Sequence, residues 1–159
     1  MVKSRISAPG IALSIGAMIL GSACAITNAQ SAPASAPIAR TVNSPLQWGP
    51  CPEIFPAGCK IAVLNGDPSK PNADVFLRVP AGYKIPAHSH TSAERMILVE
   101  GLLTVRYEGA PAAVLTPGAY AYGPAGLPHE ARCGSKRRCT LFIAFEGPVD
   151  ARPHAGVQK

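Results

Sequence analysis

Four side chains in the second half of the sequence have the types and the spacing of a metal-binding set. His88 and His90 stand two residues apart, Glu94 follows four residues later, and His129 comes after a turn rich in Gly and Pro. Alternate residues of a strand project from the same face of a sheet, so an extended segment over 86–90 turns both histidines inward. Imidazole nitrogens with a carboxylate suit a divalent transition metal and leave coordination positions open. The sequence therefore predicts that these four residues bind one such ion.

The elements that must position these residues are predicted to be short strands joined by turns. Gly and Pro together number 32 in 159 residues, and such turn residues favour many short strands over long helices. No stretch after the N-terminal segment has a sustained helical period. Short apolar runs with regular turn signals are typical of a β-sandwich or a small barrel. The runs that predict strands lie at 60–66, 75–79, 95–99, 102–107, 112–116, 119–122, 129–133 and 140–145.

The stretch from Gly82 to Gly101 (GYKIPAHSHTSAERMILVEG) resembles the first of the two motifs of the cupin superfamily. That motif consists of a Gly, five residues, His-x-His, three or four residues, Glu, six residues and a final Gly. Every fixed position is present here, with His88, His90 and Glu94 between the two glycines. A lone His-x-His on a strand is usually a surface pair, so the complete motif carries the resemblance.

The stretch from Gly118 to His129 (GAYAYGPAGLPH) resembles the second cupin motif. This motif is a Gly, five residues, Pro-x-Gly, two residues, His, three residues and Asn. The fixed positions match through Pro124, Gly126 and His129, whereas Cys133 stands where the final Asn is expected. Cys133 shares the strand face of His129 but lies about 13 Å farther along the strand, too far to bind the same ion without a bend.

The resemblance covers residues 46–147, and the opening of this region (WGPCPEIFPAGCKIAVLNGDPSKP) also looks like secreted bacterial cupins related to the ChrR-type cupin domain. It implies an all-β fold, the cupin jelly-roll or double-stranded β-helix, closed into a small barrel. It also implies one divalent transition metal, Fe, Mn, Ni, Cu or Zn, bound by His88, His90, Glu94 and His129. The alternative is a cupin that keeps the fold and has lost the metal, although none of the four ligands is substituted. Cupins often form homodimers, so a homodimer is a possible state of this chain.

Cupin metal sites support dioxygenase, decarboxylase and isomerase activities on small oxygen-rich substrates such as diketones and hydroxy acids. The resemblance therefore implies a metal-dependent enzyme, in which Glu94 is both a ligand and a catalytic residue that can shift its coordination. Fold and ligand set do not choose among these activities. The alternatives are a periplasmic cupin that binds or senses a small ligand without catalysis, and a metal-free structural cupin.

Residues 1–29 have the composition of a secretory signal peptide. A short positive region precedes an apolar stretch at 11–20, and small residues then allow cleavage after Ala25 or Ala29. The apolar stretch is short for a membrane span, so we expect no stable span after processing and a periplasmic or secreted protein. A retained N-terminal anchor and lipidation of Cys24 are the alternatives.

The region 46–147 is long enough for one domain with one core. The segments on either side of it predict flexible chain. Residues 30–45 form a linker rich in Ala, Ser and Pro, and residues 148–159 form a polar, flexible tail.

The charge of the chain argues against a nucleic-acid partner. The net charge is +6, and removal of Lys3 and Arg5 with the N-terminal segment leaves +4, spread thinly. The basic run at 136–138 is too short for a nucleic-acid site and is more typical of a solvated turn. Arg78 and Arg106 each lie within a predicted strand, where they either neutralise an acidic substrate or face outward. We expect a small-molecule ligand or substrate as the partner.

Four cysteines besides the one at position 24 form two local pairs, Cys51 with Cys59 and Cys133 with Cys139. An even number of cysteines in an oxidising compartment suggests disulfides. Three connectivities are possible, and we favour the local pairing because each short segment can fold back on itself. Free buried thiols are one alternative. A zinc cluster is another, although the separations exceed those that zinc sites prefer.

Two further pairs of residues share a strand face with the predicted metal set. Met96 and Leu98 have the parity of Glu94 and are expected to wall the pocket. Tyr120 and Tyr122 share one face near the second motif, where they either supply hydroxyls to a ligand or pack in the barrel.

Overall fold

The structure, a computed structural model, describes residues 38–157 of the chain. These residues form eleven β-strands and no helix. In chain order the strands are β1 (Gly49–Pro50), β2 (Lys60–Asn65), β3 (Ala73–Val79), β4 (Lys84–Ser89), β5 (Glu94–Glu100), β6 (Leu103–Tyr107), β7 (Ala113–Leu115), β8 (Tyr120–Gly123), β9 (His129–Cys133), β10 (Cys139–Phe145) and β11 (Arg152–Pro153).

The strands are arranged in two antiparallel sheets around a common interior. One sheet has the order β1-β2-β3-β10-β5-β8, and the other has the order β11-β4-β9-β6-β7. Consecutive strands from β3 to β6 alternate between the two sheets, so the chain winds around the interior as it advances. The all-β barrel that the sequence predicts is confirmed. The two-residue strands β1 and β11 were not predicted, because so short a strand has no period to detect.

Alternating side chains from both sheets fill the interior, as β5 illustrates. Glu94, Met96 and Leu98 are buried, whereas Arg95 and Ile97 between them are exposed. This period of two is what a strand with one face on the core requires. The inward direction predicted for Met96 and Leu98 is confirmed. Full burial of an apolar side chain such as Leu98 contributes about 1.5–3 kcal/mol to folding.

The turn between β5 and β6 requires glycine at Gly101, the last position of the first motif. Its φ of 95° lies in the left-handed region, which side chains with a Cβ rarely adopt. A Cβ at this position would also lie 2.7 Å from Sγ of Cys139 and 2.8 Å from the carbonyl oxygen of Arg138. Any other residue would therefore have to displace the start of β10.

Two disulfides close the segments that the sequence analysis pairs locally. Cys51 is bonded to Cys59 and Cys133 to Cys139, with Cα–Cα distances of 5.5 Å and 5.8 Å. The second bond joins the end of β9 to the start of β10, so it ties one sheet to the other. The predicted local pairing is confirmed.

The segment after the last core strand differs from the flexible tail that the sequence predicts for 148–159. Its strand β11 pairs with β4, and the backbone N–H of Val149 donates to the carbonyl oxygen of Pro68. Val157 is buried. The attachment uses mainly backbone groups along the edge of β4, and such contacts leave no side-chain period in the sequence.

The predicted signal peptide at 1–29 and the first half of the predicted linker, 30–37, lie outside the described residues. Over 38–157, the structure contains no helix with the length and hydrophobicity to cross a membrane.

Candidate metal centre

Three histidines from two neighbouring strands converge inside the barrel. His88 lies near the end of β4, His129 begins β9 directly opposite it in register, and His90 follows β4. All three are buried. One ring nitrogen from each histidine lies within 4.8 Å of the others, a spacing that could hold a metal ion. The structure thus brings together the three histidines that the sequence singles out.

A backbone carbonyl oxygen orients each of the three imidazole rings. The Nδ1 atoms of His88 and His90 lie 2.7 Å and 2.5 Å from the carbonyl oxygens of Pro86 and Asp150. Nδ1 of His129 lies 3.4 Å from the carbonyl oxygen of Leu127, a weaker contact. A carbonyl oxygen only accepts hydrogen bonds, so Nδ1 carries the proton and Nε2 keeps a free lone pair. This second contact is what metal-binding histidines use to fix their ring orientation.

Glu94 brings its carboxylate to the same point from the opposite sheet. It begins β5 and is 2% exposed. Oε2 lies 3.4 Å from Nε2 of His90, and Oε1 lies 3.1 Å from Nε2 of His129. The neighbouring β8 fits closely here, since a Cβ added to Gly123 would lie 2.9 Å from Cγ and Oε1 of Glu94.

The donor set contains buried polar atoms that lack a protein partner. Nε2 of His90 and Oε1 of Glu94 form no hydrogen bond, because the 3.1 Å contact of Oε1 with His129 lacks hydrogen-bond geometry. Buried polar groups in folded proteins are nearly always satisfied, and leaving one unsatisfied costs about 1–3 kcal/mol. Unpaired nitrogen and oxygen lone pairs aimed at one point are what a bound cation would satisfy. The residues present therefore fit a divalent transition metal.

The protonation states favoured in this site are those that metal ligands need. Burial, followed by the charge of neighbouring His129, lowers the pKa of His88 to about 3, so its imidazole is neutral at physiological pH. Burial by itself raises the pKa of Glu94, but the neighbouring histidines, His129 foremost, outweigh it and lower that pKa. Metal binding requires a neutral imidazole and an ionised carboxylate.

Sequence reasoning missed Tyr107, whose ring lies beside the donor set. It ends β6 opposite His129 in register, and the two ring centroids are 5.0 Å apart. Its hydroxyl is buried without a hydrogen-bond partner. Burial, followed by the charge of Glu94, raises the pKa of Tyr107, so the hydroxyl keeps its proton. The alternation of side chains along β6 could have predicted that Tyr107 points inward. Only the pairing of β6 with β9 places it next to His129.

The other residues considered from the sequence lie away from the donors. Tyr120 and Tyr122 are 57% and 47% exposed, so neither reaches the interior. Arg78 stacks on the Trp48 ring, with 4.0 Å from its guanidinium carbon to the ring centroid. Arg106 pairs with Glu130, its neighbour across the β6–β9 ladder. Both arginines lie on the outer faces of the sheets.

A cavity extends from the donor set into the barrel. It encloses about 600 Å³ of space between atoms, including its open mouth, and only about 50 Å³ can hold the centre of a water molecule, so it is narrow. Met96 lines it, whereas Leu98 packs deeper in the core. Phe55, from the loop closed by the Cys51–Cys59 bond, also lines the cavity, with its ring at 80° to the His88 ring and a centroid distance of 5.0 Å.

Solved structures with similar folds are cupins. The DMSP lyase DddQ from Ruegeria pomeroyi DSS-3 is 22% identical, with 72% of this chain and 64% of that chain covered and a TM-score of 0.59. An RmlC-like cupin from Shewanella frigidimarina NCIMB 400 is 21% identical, with 69% and 89% covered and a TM-score of 0.56. Oxalate decarboxylase from Bacillus subtilis is 19% identical, with 65% and 28% covered and a TM-score of 0.53.

These likenesses show a shared fold, since identity of this order does not carry function. The chain spans less than two thirds of the DMSP lyase chains with which it aligns, 62% and 64%. The Bacillus subtilis oxalate decarboxylase contains Mn(II) centres. No curated protein matches the chain in sequence.

The jelly-roll fold implied by the two motifs is thus confirmed by the solved structures. The family profile of the ChrR cupin-like domain matches residues 40–150, which is most of the chain. This protein therefore belongs to the family of ChrR cupin-like domains.

Proposed function

We propose that His88, His90, Glu94 and His129 bind one divalent transition metal, and that the protein is an exported metal-dependent enzyme acting on a small oxygen-rich organic substrate. The observation that carries this proposal is the buried donor set with unpaired lone pairs. Each Nδ1 atom faces a carbonyl oxygen, while Nε2 of His90 and Oε1 of Glu94 have no hydrogen-bond partner. Burial of such a set is costly unless something binds it.

When bound, the ion would supply Lewis-acid chemistry and a template for substrate oxygen atoms. The protein's own residues shape the reaction around it. Glu94 has two carboxylate oxygens, so one can bind while the other accepts a hydrogen bond or a proton. Tyr107 keeps its proton, because burial and the charge of Glu94 raise its pKa, and its hydroxyl is available as a donor. Phe55 and the apolar walls limit the access of water.

Iron, manganese, nickel, copper and zinc all remain candidates, because three imidazoles and one carboxylate suit several first-row ions. The Mn(II) centres of Bacillus subtilis oxalate decarboxylase support manganese only as one candidate, since that enzyme shares the fold at low identity. Dioxygenase, decarboxylase and isomerase chemistry are equally compatible with the donor set.

We propose a periplasmic or secreted location. The two disulfides support it, because such bonds form and persist in oxidising compartments. The predicted signal peptide at 1–29 supports it independently. Intact-mass analysis of material from a periplasmic fraction should give a chain that begins at residue 26 or 30. A chain that still begins at Met1 in the cytoplasm would contradict export.

Turnover by protein reloaded with single metals tests the enzymatic part of the proposal. Metal-free protein is loaded separately with Fe²⁺, Mn²⁺, Ni²⁺, Cu²⁺ or Zn²⁺ and incubated with diketones, 2-oxo acids and 2-hydroxy acids. Oxygen uptake, carbon dioxide release and product masses are followed. We expect turnover with at least one metal, lost in Glu94→Gln and kept in the outward-facing control Glu130→Gln.

The same experiment separates catalysis from simple binding. Saturable binding of these compounds without turnover, under every metal, would contradict the enzyme and support the alternative of a periplasmic ligand-binding or sensing cupin.

A further inference from the structure

The walls of the cavity next to the donor set are apolar in successive layers. On each strand, the side chain two residues away from an inward residue at the donor end also points inward. Met96 comes two residues after Glu94, Ala131 comes two residues after His129, and Ile143 comes two residues before Phe145, the end of β10. A third layer, lined by Leu103 and Leu141, lies two residues deeper. Four residues of strand span about 13 Å, so the cavity runs well into the barrel.

The cavity offers no polar partner beyond its donor end. Of the described residues that line it, none is Lys or Arg, and the polar side chains are the three histidines, Glu94 and Asp150. The Asp150 carboxylate is already engaged at the mouth, where Oδ1 accepts from the N–H of Thr91 and Oδ2 lies 3.7 Å from Nε of Arg152. A second carboxylate or a row of hydroxyls on a ligand would therefore be buried without compensation.

The shape of the cavity selects further among ligands. About 600 Å³ of space includes the open mouth, yet only about 50 Å³ admits the centre of a water molecule. Such a narrow space accepts a slender chain more readily than a ring or a branched body. Ala131 is the smallest side chain of the inner layers, and its lack of bulk leaves the room beside His129.

We propose that the site takes a ligand with one chelating oxygen head group, a 2-oxo or 2-hydroxy carboxylate, and one unbranched hydrocarbon chain that lies inside the barrel. This inference rests on the metal site proposed above. The head group meets the donor set, where the unpaired lone pairs converge, and the chain lies along Met96, Ala131 and Ile143. Dicarboxylates and sugar acids are disfavoured, because the walls offer nothing to pair with their second polar end.

Calorimetric titration of Zn²⁺-loaded protein with a series of 2-oxo acids tests the ligand class. Zinc is chosen because it has no redox chemistry that would consume the ligand. From 2-oxopropanoate to 2-oxohexanoate we expect Kd to fall about fourfold per added methylene, the factor that corresponds to burial of one methylene group. The matched compound 2-oxoadipate, with a carboxylate in place of the terminal methyl of 2-oxohexanoate, should bind at least about tenfold more weakly than 2-oxohexanoate.

Two variants of one strand connect the effect to the cavity. Ala131→Leu fills the space beside His129, so the gain with chain length should disappear, and zinc content measured in parallel reports whether the donor set still forms. Arg132→Leu introduces the same side chain at the exposed position of β9 and should behave as wild type. Ile143→Val adds a complementary readout, since it enlarges the cavity at small cost and should extend the gain to a longer chain.

The outcomes separate the two proposals. Zinc bound at one equivalent with a flat chain-length series, or with equal affinity for 2-oxohexanoate and 2-oxoadipate, would overturn the ligand class and leave the metal site standing. Absence of zinc binding would overturn the metal site and, with it, this inference.

Discussion

Nδ1 of His90 lies 2.5 Å from the backbone carbonyl oxygen of Asp150, which is 60 residues away in the sequence. The contact makes the C-terminal segment part of the proposed metal centre, because it fixes the ring that presents Nε2 to the donor set. The Asp150 side chain holds that segment in turn, since its Oδ1 accepts a hydrogen bond of 2.9 Å from the backbone N–H of Thr91.

Loss of the Asp150 side chain should therefore weaken metal binding at a distance. Asp150→Ala removes the anchor to Thr91, and we expect metal affinity to fall about tenfold, at the low end of the effects seen when outer partners of ligands are lost. Asp150→Asn keeps an oxygen that can accept the same hydrogen bond and should retain most of the affinity. Competition with a chelator measures both. Equal affinity of wild type and Asp150→Ala would show that the segment does not position His90.

A methyl group at Gly123 should disturb the centre from the opposite side. In Gly123→Ala the new Cβ would lie 2.9 Å from both Cγ and Oε1 of Glu94, so the carboxylate must move. We expect at least a tenfold loss of metal affinity with the barrel still folded by circular dichroism. Gly49→Ala is the control, because a Cβ there meets nothing within 4 Å. Wild-type affinity in Gly123→Ala would mean that the position of Glu94 is unimportant for the ion.

Much of the fold and of the candidate site could be predicted from side-chain types and spacing. The strand cores at β3, β5 and β10 follow from apolar runs between turn residues, and the donors from two motifs of fixed spacing. Local constraints explain this success. For example, the turn after β5 has a positive φ of 95° at Gly101, a backbone conformation that favours glycine.

What could not be predicted depends on pairing between distant segments or on backbone atoms. Tyr107 reaches the centre only because β6 pairs with β9 in one register. The carbonyl oxygen of Asp150 belongs to a polar segment whose sequence predicts a flexible tail, and a backbone acceptor leaves no trace in residue type. Phe55 reaches His88 because the Cys51–Cys59 bond closes its loop, and three connectivities fit the sequence.

The disulfides should leave no titratable thiol in the mature, denatured protein. The paired cysteines are bonded, and the proposed cleavage after residue 25 or 29 would remove position 24. Two or more free thiols per chain in periplasmic material would contradict this expectation.

Removing the bond between the two sheets should also lower stability. The double variant Cys133→Ser/Cys139→Ser opens a loop with a sequence separation of 6. Chain entropy for so short a loop predicts a loss of about 2 kcal/mol in the free energy of unfolding. Urea denaturation with and without reductant measures it. If the double variant, under oxidising conditions, had the same free energy of unfolding as wild type, the bond would add no stability.

Glu100 gives the protein a contribution to stability that depends on pH. Hydrogen bonds from Arg138 and from the buried hydroxyl of Thr140 lower the pKa of Glu100, against the opposing effect of burial. A lowered pKa means that the contribution is fully present above the unfolded-state value of about 4.5 and is lost as pH falls through the folded-state value.

The variant Glu100→Gln tests this dependence. We expect it to unfold about 1 kcal/mol more easily at neutral pH, a modest value because the carboxylate is partly exposed. The difference from wild type should shrink toward zero as pH falls through the lowered folded-state pKa of Glu100. Urea denaturation between neutral and acidic pH measures the difference. Glu130→Gln is the control, because Glu130 pairs with Arg106 and both residues lie in the other sheet. A constant difference at every pH would contradict the role of the ionised Glu100 carboxylate.

Metal content tests the central claim most directly. Mature protein purified without a His-tag is analysed by plasma mass spectrometry beside the double variant His88→Ala/His129→Ala. We predict close to one equivalent of a single first-row transition metal in wild type and almost none in the variant, with both proteins folded. A wild-type protein that binds no metal even after reloading, or a variant that binds as much as wild type, would contradict the metal centre.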